Sequence, residues 1–275
     1  MKVAIQGELG AFSHEAAGKL APGAEIVPCA LSAEVFAALS GGRVDAAVIP
    51  IENSLAGSVL EHFDLLLDRD VRVLAEMPLR IRHNLIVKPG TTMEEIEKVF
   101  SHPVALAQCR KYFANHPKMR ATSYYDTAGS VKFVMDSAAA EARHMGAIAS
   151  EAAARVYGAE VMDAGIEDNP ENYTRFFLVK RTADAMPVAD ANKVSLAFSV
   201  ENRPGSLVAA LNELSAIGTN LTKIESRPVH GKPWQYIFYV DCQLRSAEEA
   251  DQAMDALRRH CGMVKELGRY RESRD

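Results

Sequence analysis

The segment Asn172-Tyr173-Thr174-Arg175-Phe176-Phe177-Leu178-Val179 sets one hydroxyl and one cation at the mouth of an otherwise apolar run. Such a run reads as a buried strand with its polar residues gathered at its start, not spread along a solvent-facing side. Ligand sites in sheet proteins commonly lie at such ends, where a rigid strand presents side chains to a cleft. The plainer reading is that Thr174 and Arg175 only finish the strand with ordinary hydrogen bonds. On this segment alone, both readings stand.

The chain has 275 residues, room for two or three compact units, and its 48% hydrophobic content is that of a soluble globular protein. A net charge of −5 argues against sequence-independent nucleic-acid binding, which depends on basic surface. No apolar run approaches a membrane span, and Met1 to Gln6 reads as a first strand, not a signal peptide, so a cytoplasmic protein is expected. Cys29, Cys109, Cys242 and Cys261 are scattered without a C-x-x-C pair, which points to reduced thiols. His14-Glu15 lacks the second histidine of H-E-x-x-H, and no metal site is expected.

Val3 to Gln6, Gly7-Glu8-Leu9-Gly10 and a helix opening near Ser13 form a strand–turn–helix unit, whose helix-start N–H groups favour an anion. G-x-G-x-x-G is absent, so a dinucleotide site loses its main support. Val44 to Ile51 reads as a second buried strand whose pairing should stop at Pro50, because proline donates no ladder hydrogen bond. Glu52 to Ser58 is then a polar loop past a strand end, although Asn53 or Ser54 is also suited to capping the next helix. Between about 78 and 161 further strands are expected at Arg82 to Val87, Val99-Phe100 and Gly146 to Ala149. Helices open there at Ser101-His102-Pro103 and at Asp126-Thr127-Ala128-Gly129.

Periodicity lapses over 182–192, which reads as a linker. Beyond it come a strand (194–200), a helix (206–217), two strands (221–229 and 234–244), a helix (247–260) and a strand (263–269). That order is βαββαβ, a ferredoxin-like unit. Trp234, Tyr236, Phe238 and Val240 alternate as on a half-buried strand, and Lys223, Glu225 and Arg227 share one side of theirs.

Taken in order, several stretches resemble the prephenate dehydratases, together with the similar arogenate dehydratases, that carry a C-terminal ACT regulatory domain. They are Gly7 to Ser13, Ile49 to Ser54, Ser101 to Cys109, Asp126 to Gly129, Asn172 to Phe176 and Ile224-Glu225-Ser226-Arg227-Pro228. The resemblance covers nearly the whole chain. It implies an α/β catalytic part of two lobes like the type 2 periplasmic binding proteins, over residues 1–181. Lobe one would hold 1–76 and 166–181, lobe two 77–165, with the ACT domain at 193–275. Two departures stand out: Ala11 where many members have threonine, and Gly205-Ser206-Leu207 in place of G-A-L.

The resemblance implies a carbon–oxygen lyase that converts prephenate to phenylpyruvate in phenylalanine biosynthesis, without a cofactor. Thr174, Arg175 and Phe176 would be catalytic, with Thr174 assisting loss of the ring hydroxyl. Ser13, Asn53, Ser54, Ser101, Thr127 and Asn172 would bind substrate. Strand alternation sets Thr174 and Arg175 on opposite faces, so Arg175 either reaches the site at an irregular strand end or fixes the backbone. Gly205, Ser206, Leu207, Asn220, Glu225, Ser226 and Arg227 would bind phenylalanine as feedback effector in a homodimer or homotetramer. Arogenate is the alternative substrate, and a non-catalytic small-acid sensor the alternative from another class.

Overall fold

The computed structural model describes residues 1–229, 231, 234–246 and 248–273. The expected helix start at 247 and the last two residues of the expected C-terminal unit lie outside them. The first lobe contains β1 (Lys2–Gln6), β2 (Glu25–Cys29), β3 (Ala46–Asn53), β4 (Gly57–Ser58) and β5 (Val71–Arg80). The second contains β6 (Asn84–Val87), β7 (Lys98–Ser101), β8 (Arg120–Ser123), β9 (Met145–Ala149) and β10 (Glu160–Ala164). The chain then returns as β11 (Tyr173–Arg181) into the first sheet, whose order is β2-β1-β3-β11-β5. The second sheet runs β10-β6-β9-β7-β8. Two crossings thus join the lobes, as in a type 2 periplasmic-binding architecture. Because β5 runs unbroken to Arg80, the lobe change falls after that residue and not at 76.

Pro50 does not stop its strand. β3 continues to Asn53, and the pairing with β11 passes from Phe176↔Pro50 to Arg175↔Glu52 across a register shift. This bulge absorbs the extra residue, Ile51, and is the usual place for a proline inside a sheet. Neither Asn53 nor Ser54 caps the following helix, Leu60–Asp68, whose start has no side-chain cap.

The C-terminal unit is β12 (Lys193–Ser199), β13 (Asn220–Pro228), β14 (Tyr236–Gln243) and β15 (Met263–Tyr270), with helices Ser206–Ala216 and Glu249–Arg258. Its antiparallel order, β13-β14-β12-β15, is the ferredoxin-like one. Val194, Leu196, Phe198, Val240 and Cys242 pack under the two helices. The opposite face is buried too: Ala197, Tyr239, Leu267 and Tyr270 join Ile49, Phe63, Val73 and Phe177 in one core with the first lobe. The expected half-buried strand is therefore covered on both sides over Tyr239 to Cys242, while its first residue, Tyr236, is exposed and Trp234 precedes it and is exposed too.

The two sheets approach closely at Gly268, where an added Cβ would lie 2.2 Å from the Val73 carbonyl oxygen. Gly268→Ala must push the C-terminal sheet off β5. It should destabilise the fold by about 1–3 kcal/mol, the usual cost of overpacking, measured as the denaturant midpoint in urea.

Candidate active site

A cavity of about 620 Å³ lies between the lobes. The first lobe contributes Glu8, Ala11, Phe12, Ser13, Cys29, Asn53, Thr174 and Phe176, and the second His102, Gln108, Tyr125, Asp126 and Thr127. Among the described residues lining it there is no lysine or arginine, whereas Glu8 and Asp126 are carboxylates. An anionic ligand must therefore be held by neutral donors. The helix Phe12–Leu20 supplies some of them. Ala11 at its start offers no side-chain cap, so first-turn amides stay open where a threonine could occupy one.

The loop before that helix closes on the second lobe. Gly10 has φ +87°, and an added Cβ would sit 2.5 Å from the Ala153 Cα. Its carbonyl accepts from Ser150 Oγ at 2.6 Å, and Tyr125 Oη donates to Glu8 Oε1 at 3.0 Å. Asp126 caps the helix Thr127–Asp136 through the Gly129 N–H. Burial raises the Asp126 carboxyl above its ordinary value despite that bond.

At the centre, Asn53 is fixed by the backbone. Its Oδ1 accepts from the Leu55 and Ala56 N–H groups at 3.0 and 2.8 Å. Its amide nitrogen therefore faces β11. There Nδ2 donates to Thr174 Oγ1 at 2.9 Å, Asn172 Oδ1 at 2.7 Å and the Tyr173 carbonyl at 3.1 Å. The polarity then propagates. Asn172 Nδ2 donates to Gln108 Oε1 at 3.0 Å, and that oxygen also faces His83 Nε2 at 2.8 Å. With Gln108 Oε1 an acceptor, Nε2 must carry the imidazole hydrogen. Thr174 Oγ1 accepts from Asn53, which leaves its own hydrogen free to donate.

The sequence-derived candidates divide clearly. Ser13, Asn53, Thr127, Thr174 and Phe176 line the cavity. Ser54 and Ser101 do not: Ser54 fastens the loop by donating to the Glu171 carbonyl and accepting from Tyr173 N–H, and Ser101 is fully buried with its hydroxyl on the Ile148 carbonyl. Asn172 is fully buried and orients Asn53 and Gln108 from behind.

Arg175 is the clearest correction. It points away from the cavity to Glu76, Glu52, Asp241 and Tyr270, because alternation carries its side chain to the opposite face of β11. Burial opposes its charge, but Tyr270, Asp241, Glu76 and Glu52 outweigh it and keep the guanidinium charged. Glu52 is likewise pushed up by burial, yet hydrogen bonds from Lys223 and Arg175 hold it below the ordinary carboxylate value.

Sequence reasoning missed His83 and Gln108. Gln108 sat in a noted stretch as a lone amide at a helix end, and His83 gave no pattern.

The seven effector candidates do not surround one cavity in the single chain. Gly205 and Ser206 line a hollow with Arg203 and Arg259. Leu207 packs against the C-terminal core, and Asn220 donates to Gln243. Ser226 lies on β13 without lining that hollow. Glu225 accepts from Ser58, and Arg227 pairs with Asp64, so both face the first lobe.

A cleft of neutral donors between two α/β lobes, with a ferredoxin-like unit docked behind one of them, defines a two-lobed small-molecule site with an attached sheet domain. The family model described as prephenate dehydratase matches residues 3–184, and the chain belongs to that family. It is 37% identical to arogenate dehydratase 2 of Petunia hybrida, over 98% of this chain and 71% of that protein. A prephenate dehydratase from Arthrobacter aurescens, solved in complex with L-Phe, superposes with a TM-score of 0.88 at 30% identity, covering 99% of this chain and 90% of that one. A structure described as GqqA, a novel type of quorum quenching acylase, superposes at 0.89 with 31% identity, covering 99% and 98%.

Burial lowers the pKa of both His62 and His83 below 6.5. The unfolded chain therefore takes up protons there before the folded chain does, so stability is complete above that value and falls as the pH drops through it. Denaturant midpoints measured from about pH 7 down to about pH 5 should decline. A rise over that window would contradict the neutral, buried state of both rings.

Proposed function

We propose that the chain is a prephenate dehydratase, releasing phenylpyruvate, carbon dioxide and water, with phenylalanine as feedback effector. One observation carries this reading: the Thr174 hydroxyl accepts from Asn53 and keeps its hydrogen for the cavity, beside the open helix start at Phe12. As the ring carboxylate leaves, its bonding electrons move through the ring and expel the ring hydroxyl, which must take a proton to depart as water. Thr174 is oriented to hydrogen-bond that oxygen, and the net proton comes from solvent in the cleft, which restores the hydroxyl as it passes its own hydrogen on. Helix-start amides with Ser13 and Thr127 hold the substrate's anionic groups, and Phe176 supplies an apolar wall. An acylase reading would need a base to activate a nucleophile. The side chain that meets the Thr174 hydroxyl is instead the donor amide of Asn53.

Arogenate is a second reading, favoured by a specific feature. Its ammonium group would find Glu8 and Asp126 in a cavity whose described lining holds no lysine or arginine. Phenylalanine feedback is supported by the L-Phe complex of the Arthrobacter aurescens relative. Pairing of chains through the C-terminal unit is supported by Ile224 and Val208, both exposed there. The four unpaired cysteines fit a reducing, cytoplasmic setting, and no described helix is long and apolar enough to cross a membrane.

The test is product formation from prephenate and from arogenate, each with and without phenylalanine. Thr174→Ala should fold normally and lose about 10²–10⁴-fold in turnover, the range of acid–base assistance. Wild-type turnover in the folded variant would overturn the role of Thr174. Binding of both acids by the wild-type protein without turnover would instead favour a sensor.

A further inference from the structure

The pairing of β3 with β11 sets Thr174 opposite Asn53 and Arg175 opposite Glu52. The first pair lines the cavity, and the second faces the C-terminal sheet. Two residues on each strand therefore connect the reacting side of the sheet to its back. Arg175 is held by partners on four strands. Glu76 Oε2 lies 2.6 Å from Nε and Glu52 Oε1 2.9 Å from Nη1, both in the first lobe. Asp241 Oδ2 lies 2.5 Å from Nη1 and Tyr270 Oη 2.8 Å from Nη2, both in the C-terminal unit.

Those last two groups are themselves braced by the centre of their own sheet. Ser195 on β12 donates to Asp241 Oδ1 and lies 2.6 Å from Tyr270 Oη. Tyr270 is fully buried, and the Asp241 and Arg175 side chains are only 4% and 13% exposed. The ladder bulge follows at once, between Arg175 and Phe176. On its other side β11 keeps its register with β5 through Thr174↔Leu79, Arg175↔Pro78 and Phe176↔Met77, so the guanidinium anchor adds to a backbone held by one regular ladder and one bulged one.

We propose that Arg175 is a positioning residue through which the C-terminal sheet sets the direction of the Thr174 hydroxyl. Asp241 and Tyr270 draw the backbone at 174–175 toward the C-terminal unit, and a movement of that sheet carries Thr174 and Asn53 with it. The C-terminal unit is then part of the active-site framework even when it holds no ligand. An effector bound there acts on turnover more than on substrate affinity, a consequence that rests on the function proposed above.

The test is Tyr270→Phe in the full chain, which removes one anchor without leaving a charge unpaired and without touching the cavity. Where that variant does not fold, Ser195→Ala loosens the same two groups. Two readouts are taken: kcat and KM with the substrate that the wild type turns over, and the Thr174 methyl resonance in a threonine-methyl-labelled sample, assigned by its loss in Thr174→Ser. We expect kcat to fall about 10- to 10²-fold, as for a small misplacement of a reacting group, with KM within about twofold. We also expect the Thr174 resonance to move. A merely structural brace would lower the denaturant midpoint and leave the resonance in place. An unmoved resonance, or an unchanged kcat in an enzyme that turns over, overturns the proposal. If the wild type turns over neither prephenate nor arogenate, the functional reading fails, while the resonance alone still decides whether the sheet positions Thr174.

Discussion

The antiparallel pairing of β3 with β11 is the contact on which the rest of the molecule depends. It closes the first lobe's sheet after the chain has left to build the second lobe, and it fixes where the cavity's central polar group stands. Thr174 and Asn53 meet across it at hydrogen-bond distance, while Glu52 and Arg175 meet on its reverse. A one-residue slip would exchange the faces, turning a buried cation into the cleft and the hydroxyl toward the C-terminal sheet. The bulge beside Pro50 holds that register against the proline's missing donor.

The same pairing accounts for the buried charge behind the site. Arg175, Lys193 and Lys223 stand among Glu52, Glu76 and Asp241, mostly out of water. Such an arrangement contributes less to net stability than to geometry, since desolvation offsets much of the attraction, whereas loss of one partner leaves a costly unpaired charge. It tolerates one relative placement of the two units. With Gly268 against Val73, the docking is specified both by charge and by close approach.

Much of this was legible in the sequence. The apolar run after Thr174 announced a buried strand, and the βαββαβ order of the C-terminal unit was readable from periodicity to within a few residues. The alternation of Lys223, Glu225 and Arg227 correctly put all three on one face. What the sequence hid was the partner of that face. A strand buried on both sides by two different units, as β14 is, reads like a half-buried one, because Tyr239 and Ile237 are apolar enough for a core yet ordinary on a surface. Arg175 misled for the same reason: beside a candidate catalytic hydroxyl, a cation reads as a substrate ligand until Asp241, which claims it from the C-terminal sheet, is in view. Ser101 and Ser54 misled differently, since a hydroxyl spent on a backbone carbonyl has the same one-letter code as one that meets a ligand. His83 carries no periodic or spacing signal, and only the fold brings it to Gln108.

The absence of lysine and arginine from the described cavity wall has a further consequence. A pocket that grips an anion with peptide dipoles and amide hydrogens spreads its attraction over several weak contacts, none of which is an ion pair to be broken on departure. In the proposed reaction the product has lost one carboxylate and gained a flat aromatic ring. The contacts that served the vanished group then hold nothing. Retention of the product drops at the moment of its formation, and the emptying of the site is built into the chemistry of its wall.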